Sequence, residues 1–412
     1  MSASSPAYSL DEEANGEQAG DEVTMHRRAS TRGAAWLLAG CLVVAVSACS
    51  DGQSGGGDGS SSSESEESAS SSGPATRSDG DDPDAAAPSP EVAGTVATGL
   101  TSPWGLAFLP NGSALVSERD TALIKHVRPG GDVRTVGEVP DVDTTSTSEG
   151  GLLGIALHPD FPDRPYLYAY LTSSDDNRVV RMTYDGDRLG TADVVLDGIP
   201  RGTYHNGGRI AFGPDGLLYA TTGDATEAGS STDPDSLGGK VLRTTPTGEA
   251  APDNPDRGSP VYSSGHRNGQ GIAWDDDGRL WQAEFGQDQW DELNLIEAGG
   301  NYGWPECEGS CEQTGVVDPQ QQWSTDEASP SGIAFADGAV WMAALRGERL
   351  WRISTSDGQV TEEPKAFLSG EYGRLRTVAA APDGSLWVIT SNTDGRGDPA
   401  SGDDRILRVT LD

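Results

Sequence analysis

One histidine stands where an imidazole could take a proton from a bound hydroxyl. His205 sits in Tyr204-His205-Asn206-Gly207-Gly208-Arg209, where the glycines let a ligand approach the backbone closely. Neutral imidazole is a competent base at physiological pH, and Asp224 is placed to hold its tautomer. A histidine at a rim can also be a plain surface hydrogen-bonding group; the pairing with Asp224 and the nearby arginines favour the base. Arg267, Arg346, Arg374 and Arg376 stand out in a chain with 28 basic and 65 acidic side chains. Guanidinium forks match carboxylates bidentately, so their convergence predicts a polyanionic ligand; pairing of each with a local carboxylate is the alternative. The run from Glu284 to Asn294, followed by Gly299-Gly300-Asn301-Tyr302-Gly303-Trp304-Pro305, gathers hard oxygen donors and carbonyls in one loop. Calcium takes such ligands with flexible geometry, although no EF-hand spacing is present. A solvated acidic loop is the competing reading. His266 and His158 read as structural.

These residues must be positioned by a repeated hairpin. Its first strands read Gly105-Leu106-Ala107-Phe108, Gly154-Ile155-Ala156-Leu157, Arg209-Ile210-Ala211-Phe212, Gly271-Ile272-Ala273-Trp274, Gly332-Ile333-Ala334-Phe335 and Thr377-Val378-Ala379-Ala380. Turns such as Pro214-Asp215-Gly216 and Pro382-Asp383-Gly384 follow, supplying the positive φ of a tight hairpin. The copies start 45 to 62 residues apart, which leaves room for two further strands in each. Six such units with no helix between them describe an all-β, six-bladed β-propeller of four-stranded antiparallel blades.

If each hairpin forms the two inner strands of a blade, the segments before its first strand and after its second lie at one end of the axis. That end collects Glu149, Tyr204, His205, Arg267, Asn268, Arg374 and Arg376 from the first set, and Asp224, Glu284, Gly286 and Arg346 from the second. The turns at the other end are plain Asp, Asn and Gly. One face is therefore expected to carry the chemistry.

Composition limits the partners. A net charge of -37 over 412 residues repels nucleic-acid backbones and anionic membrane surfaces, while 55 Gly and 25 Pro favour short strands and tight turns. Residues 1–24 are acidic and small, read as a mis-assigned start or an acidic extension. Residues 25–49 pass from His26-Arg27-Arg28 to an apolar run ending Val46-Ser47-Ala48-Cys49, the order of a secretory signal. That ending resembles a lipoprotein box in which Cys49 is acylated; an ordinary cleavage site is the alternative. Either way an extracytoplasmic protein is expected, held to the outer face of a bacterial membrane only by its lipid. Residues 50–92 are Ser, Gly and Asp-rich and are expected to be a disordered tether, leaving 93–412 as the propeller. Cys307 and Cys311 can close a small disulfide ring in an oxidising compartment.

The phrases His205-Asn206-Gly207-Gly208-Arg209, Gly213-Pro214-Asp215-Gly216, Gly265-His266-Arg267-Asn268, Glu292-Leu293-Asn294-Leu295-Ile296 and Gly299 to Pro305 resemble the soluble pyrroloquinoline quinone (PQQ)-dependent sugar dehydrogenases, the glucose/sorbosone and aldose dehydrogenase group, over about residues 95–412. The resemblance implies oxidation of an aldose at its anomeric carbon to a lactone, with hydride transfer to calcium-activated PQQ. It implies His205 as general base oriented by Asp224, and Arg267, Asn268, Arg346, Arg374 and Arg376 as cofactor contacts. The carbonyls of Gly286 and Gln287 would hold the activating calcium, with Glu292 and the Tyr302 carbonyl at a second, structural one. The chain departs from glucose-oxidising members at the sugar contacts, with Tyr204 in place of Asp and Glu149 in place of Gln. Arg346 replaces Lys, and Gln287 replaces Pro. Two other functions compete: a calcium-dependent propeller lactonase, and a non-catalytic cell-surface binding module.

Overall fold

The computed structural model describes residues 89–145 and 148–411. Segments 1–24 and 25–49, with Cys49, and nearly all of the tether lie outside the described residues. The body is six antiparallel sheets, one for each copy of the hairpin phrase. The innermost strands are Pro103–Phe108, Leu152–Leu157, Ile210–Phe212, Gly269–Trp274, Pro330–Ala336 and Leu375–Ala380. Each pairs with the strand that follows its turn. Apart from one short 3-10 turn, Ala228–Ser231, no helix occurs among the described residues.

Two blades depart from the plain four-stranded pattern. In the fifth, the outer edge is split: Gln359–Val360 and Lys365–Phe367 pair opposite ends of Arg349–Ser356. Pro364 lies in the gap and has no N–H to give a ladder. In the sixth, Leu375–Ala380, Leu386–Thr390 and Ile406–Leu411 are joined by an outermost strand from the other end of the body, Pro90–Ala97. That strand opens at Pro90, inside the stretch expected to be tether up to 92.

Alternation along the strands buries one set of side chains between each neighbouring pair of blades. Leu115, Ile124, Leu167 and Met182 fill the first interface, and Trp281, Leu293, Val340 and Met342 the fourth. Trp387 and Ile406 of the sixth blade meet Val116 and Val127 of the first, which closes the ring. Each such large side chain contributes about 1.5–3 kcal/mol of burial free energy.

The glycine that opens four of the six phrases has a steric cause. A Cβ at Gly154 would collide with the Gly208 carbonyl of the next blade, and one at Gly271 with the Ser331 carbonyl. Gly105 and Gly332 abut Ile155 and Thr377 in the same way. Inner strands crowd around the axis, and side chains are excluded there except in the third and sixth blades, which carry Arg209 and Thr377 at this position.

Candidate active site

His205 and Asp224 meet at one end of the axis. Nδ1 of His205 lies 2.7 Å from Oδ1 of Asp224. The same oxygen accepts the Thr226 N–H at 2.8 Å, and Oδ2 accepts the indole N–H of Trp304 at 2.9 Å. Burial alone would raise the Asp224 carboxyl, but the bonds from His205, Thr226 and Trp304 outweigh it and hold the group below the usual range. An ionised Asp224 requires the proton on Nδ1, leaving Nε2 free to act as acceptor. The His205 backbone is left-handed at φ 58° and is fixed on both sides: Glu149 Oε2 accepts its N–H at 3.2 Å, and its carbonyl accepts the Ala225 N–H at 3.1 Å.

Beside this pair is a cavity lined by Trp104, Arg119, Glu149, Gln270, Phe285, Ser329, Leu345, Arg346, Arg374, Arg376 and Arg396. Arg374 and Arg376 share Oδ2 of Asp394, at 3.1 and 3.5 Å. Burial would raise Asp394; Arg376 and Arg374 hold it low. Arg376 also donates to Gln270 Oε1 at 2.8 Å, and burial lowers it to about 9, with repulsion from Arg119 and Arg374 adding to the shift. Arg346 is a rim residue, 61% exposed and paired with Asp326 at 2.5 Å. Three of the four expected arginines therefore line one cavity. Arg267 stands to one side, its guanidinium 5.5 Å from the Trp304 ring and donating to the Phe285 carbonyl at 3.3 Å. Asn268 turns inward, its Oδ1 taken by the Gly207 N–H at 3.0 Å.

The cavity floor is polar. Arg209, set over the Trp104 ring at 4.1 Å, donates to the Gln270 carbonyl and to Thr377 Oγ1. Burial, with the charge of Arg376, lowers it to about 9. Cations here outnumber the carboxylates that face them, and the Nε atoms of Arg267, Arg374 and Arg376 are buried without a partner. Unsatisfied buried donors beside excess positive charge are what a planar polycarboxylate would complete, so these residues fit PQQ.

At the mouth, Arg396 reaches from the sixth blade to Glu149 Oε1 at 2.6 Å and lies 5.7 Å from the ring of Tyr204, which is itself exposed. Arg396 and Glu149 thus bridge two blades above the base.

The candidate calcium residues follow the cavity wall. Among the described residues, no group of three or more His, Cys, Asp or Glu is arranged to hold a metal, so a cation would depend on backbone carbonyls such as those of Gly286 and Gln287. Asp291 accepts the Gly286 N–H at 2.9 Å and is pushed by burial to about 7. Glu292 and Glu284 face each other across adjacent strands; burial, then the Glu284 carboxylate, pushes Glu292 up. A divalent cation would relieve that crowding, so the donor set fits calcium. The hydroxyl of Tyr302 donates to the Leu295 carbonyl and accepts the Glu297 N–H, which leaves its carbonyl as the group a cation could use. His266 is structural: buried between Ser263 and Glu284, it stacks on Tyr302 at 4.7 Å. Cys307 and Cys311 form the expected disulfide.

Sequence reading missed Trp104, Arg119, Arg209, Asp394, Arg396 and Trp304 as parts of the site. Arg209 carried a signal, as a charged residue at a glycine position of the repeat. Asp394 and Arg396 lie in a long loop outside the repeat and carried none.

The model of the glucose/sorbosone dehydrogenase family matches residues 100–407. The PQQ-bound form of an aldose sugar dehydrogenase from Streptomyces coelicolor is 60% identical, with a TM-score of 0.76 over 79% of this chain and 98% of that one. An aldose sugar dehydrogenase of Escherichia coli is 29% identical over 72% of this chain and 89% of its own length. Quinoprotein glucose dehydrogenase B of Acinetobacter calcoaceticus is 34% identical over 54% of each chain.

Proposed function

The chain belongs to the glucose/sorbosone dehydrogenase family, and on that premise we propose that it is a PQQ-dependent aldose dehydrogenase that oxidises the anomeric carbon to a lactone. The observation that carries this reading is the meeting, at one mouth, of the His205–Asp224 pair with an arginine-lined cavity whose buried Nε atoms lack partners.

PQQ activated by calcium supplies the hydride acceptor when bound. The protein's own groups do the rest. Nε2 of His205 takes the proton of the anomeric hydroxyl, and the Asp224 carboxylate stabilises the imidazolium that forms. Arg374 and Arg376, with Arg346 at the rim and Arg267 and Asn268 on the adjoining wall, bind and orient the cofactor. Glu149 and Tyr204 meet the sugar. The carbonyls of Gly286 and Gln287 serve the activating calcium, and Glu292 with the Tyr302 carbonyl serves a second, structural one.

The sequence features before residue 90 support an extracytoplasmic enzyme: a signal over 25–49, acylation at Cys49 and a polar tether from 50 to the start of the Pro90–Ala97 strand. The test is reconstitution. Purified protein given PQQ and calcium should reduce a dye only when an aldose is added. Lactone opening without PQQ, and no dye reduction with any aldose, would overturn the proposal in favour of a lactonase.

A further inference from the structure

One carboxylate oxygen organises the loop that carries two of the candidate calcium ligands. Oε1 of Glu308 accepts four successive backbone N–H groups, from Gln287, Asp288, Gln289 and Trp290, at 2.8, 3.0, 2.8 and 2.9 Å. The peptide unit is planar and trans, so each N–H points opposite to the carbonyl of the preceding residue. The N–H of Gln287 shares its peptide with the Gly286 carbonyl, and that of Asp288 with the Gln287 carbonyl. Drawing both N–H groups onto Glu308 therefore turns both carbonyls to the other side. We infer that Glu308 is a positioning residue that aims the Gly286 and Gln287 carbonyls at the cation.

Its own placement is fixed by its neighbours. Glu308 belongs to the five-residue ring closed by Cys307–Cys311. The next N–H in that ring, from Gly309, donates to Glu292 Oε1 at 2.7 Å, and the N–H of Ser310 donates to Gln322 Oε1 at 2.9 Å. The disulfide ring thus touches both candidate calcium positions, one through a side chain and one through the backbone. A converging set of N–H groups is a site for an anion. Here the chain supplies that anion itself, and the negative ends of the same peptides are left for the metal.

The inference rests on the calcium reading above, and its test separates the two. Glu308→Ala and Glu308→Gln are compared with the wild-type chain in two measurements: hydrogen exchange of the 287–290 amides without calcium, and calcium affinity by titration calorimetry. In Glu308→Ala the four amides should lose protection and calcium affinity should fall about tenfold to a hundredfold, the range typical of groups that orient metal ligands. Glu308→Gln keeps an acceptor oxygen and should fall between. Unchanged amide exchange in a folded Glu308→Ala would overturn the inference. So would lost protection with undiminished calcium affinity. Lost protection in the variant, together with no calcium binding by the wild-type chain, would instead uphold the loop's dependence on Glu308 and overturn the calcium reading.

Discussion

Arg209 and Thr377 occupy the same position in the third and sixth copies of the repeat, where the other four copies have glycine, and they bond to each other at 3.0 Å. Blades three apart in a ring of six stand opposite one another, so this contact crosses the axis. It separates the cationic cavity, with Arg376 and Gln270, from a largely apolar one lined by Leu106, Ile155, Phe212 and Ile333.

Arg209→Ala removes that crossing. It takes from the Trp104 ring the nearer of its two guanidiniums, leaving Arg376 at 5.9 Å, and leaves the Gln270 carbonyl and Thr377 hydroxyl without a donor, which should cost about 2–4 kcal/mol. Relief of repulsion from Arg376 offsets part of this. Urea unfolding of the apo protein checks it, and an unchanged midpoint would show that the floor is dispensable.

His205→Ala should lower kcat by about a hundredfold or more while PQQ affinity, read by quenching of protein fluorescence, stays within about twofold. Equal losses of both would remove His205 from the proton-transfer role.

Trp304→Phe keeps the ring beside Arg267 and deletes only the N–H given to Asp224. A hydrogen bond to a charged acceptor is worth about 1.5–3 kcal/mol, so kcat should drop about tenfold to a hundredfold with KM little changed. A rise in KM alone would make Trp304 a sugar contact rather than a support for Asp224.

Acid stability should respond through Asp224. Its folded carboxyl is held below the ordinary value, so it contributes stability that is present above about pH 4 and is lost as pH falls through the lower folded value. Asp224→Asn should therefore be less stable than wild type near neutrality, with the difference shrinking below about pH 4. Denaturant midpoints measured between pH 3 and 7 report this; a gap that widens on acidification contradicts it.

The arginine pair should answer to any polycarboxylate. Citrate should raise the melting temperature of the apo wild type, because binding to the folded state alone stabilises it. Arg374→Ala combined with Arg376→Ala should abolish that rise and weaken PQQ retention about a hundredfold. Arg346→Ala, at an exposed rim pair, should cost less than tenfold. Equal effects of the two variants would contradict this ordering of the arginines.

The propeller was legible because its repeat is a local phrase. A short apolar strand and a tight Asp- or Asn-containing turn recur at each blade, and the crowding that demands glycine acts at four of the six. The base and its partner were legible because both flank one hairpin, so Tyr204 to Arg209 and Thr222 to Asp224 had to meet. Arg396 and Asp394 were not, since their loop, 391–405, obeys no repeat and finds Glu149 and Arg374 only once the ring is closed. Trp304 could be seen as part of a motif, but its bond to Asp224 joins blades through a loop whose path no periodicity fixes. The arginines were grouped by topology. Which of them would be buried and which exposed depended on how Asp326 and Asp394 fell.

The strand Pro90–Ala97 zips onto Ile406–Leu411, with Glu91 and Thr410 bonded across 319 positions. The wheel therefore has a clasp made of its two extremities. During synthesis the earlier blades can assemble while the sixth remains unfastened, because Pro90–Ala97 must wait for Ile406–Leu411 to be made. A protease that trims those eight early residues would leave Ile406–Leu411 as a bare edge, and would loosen the sixth blade without touching a catalytic group.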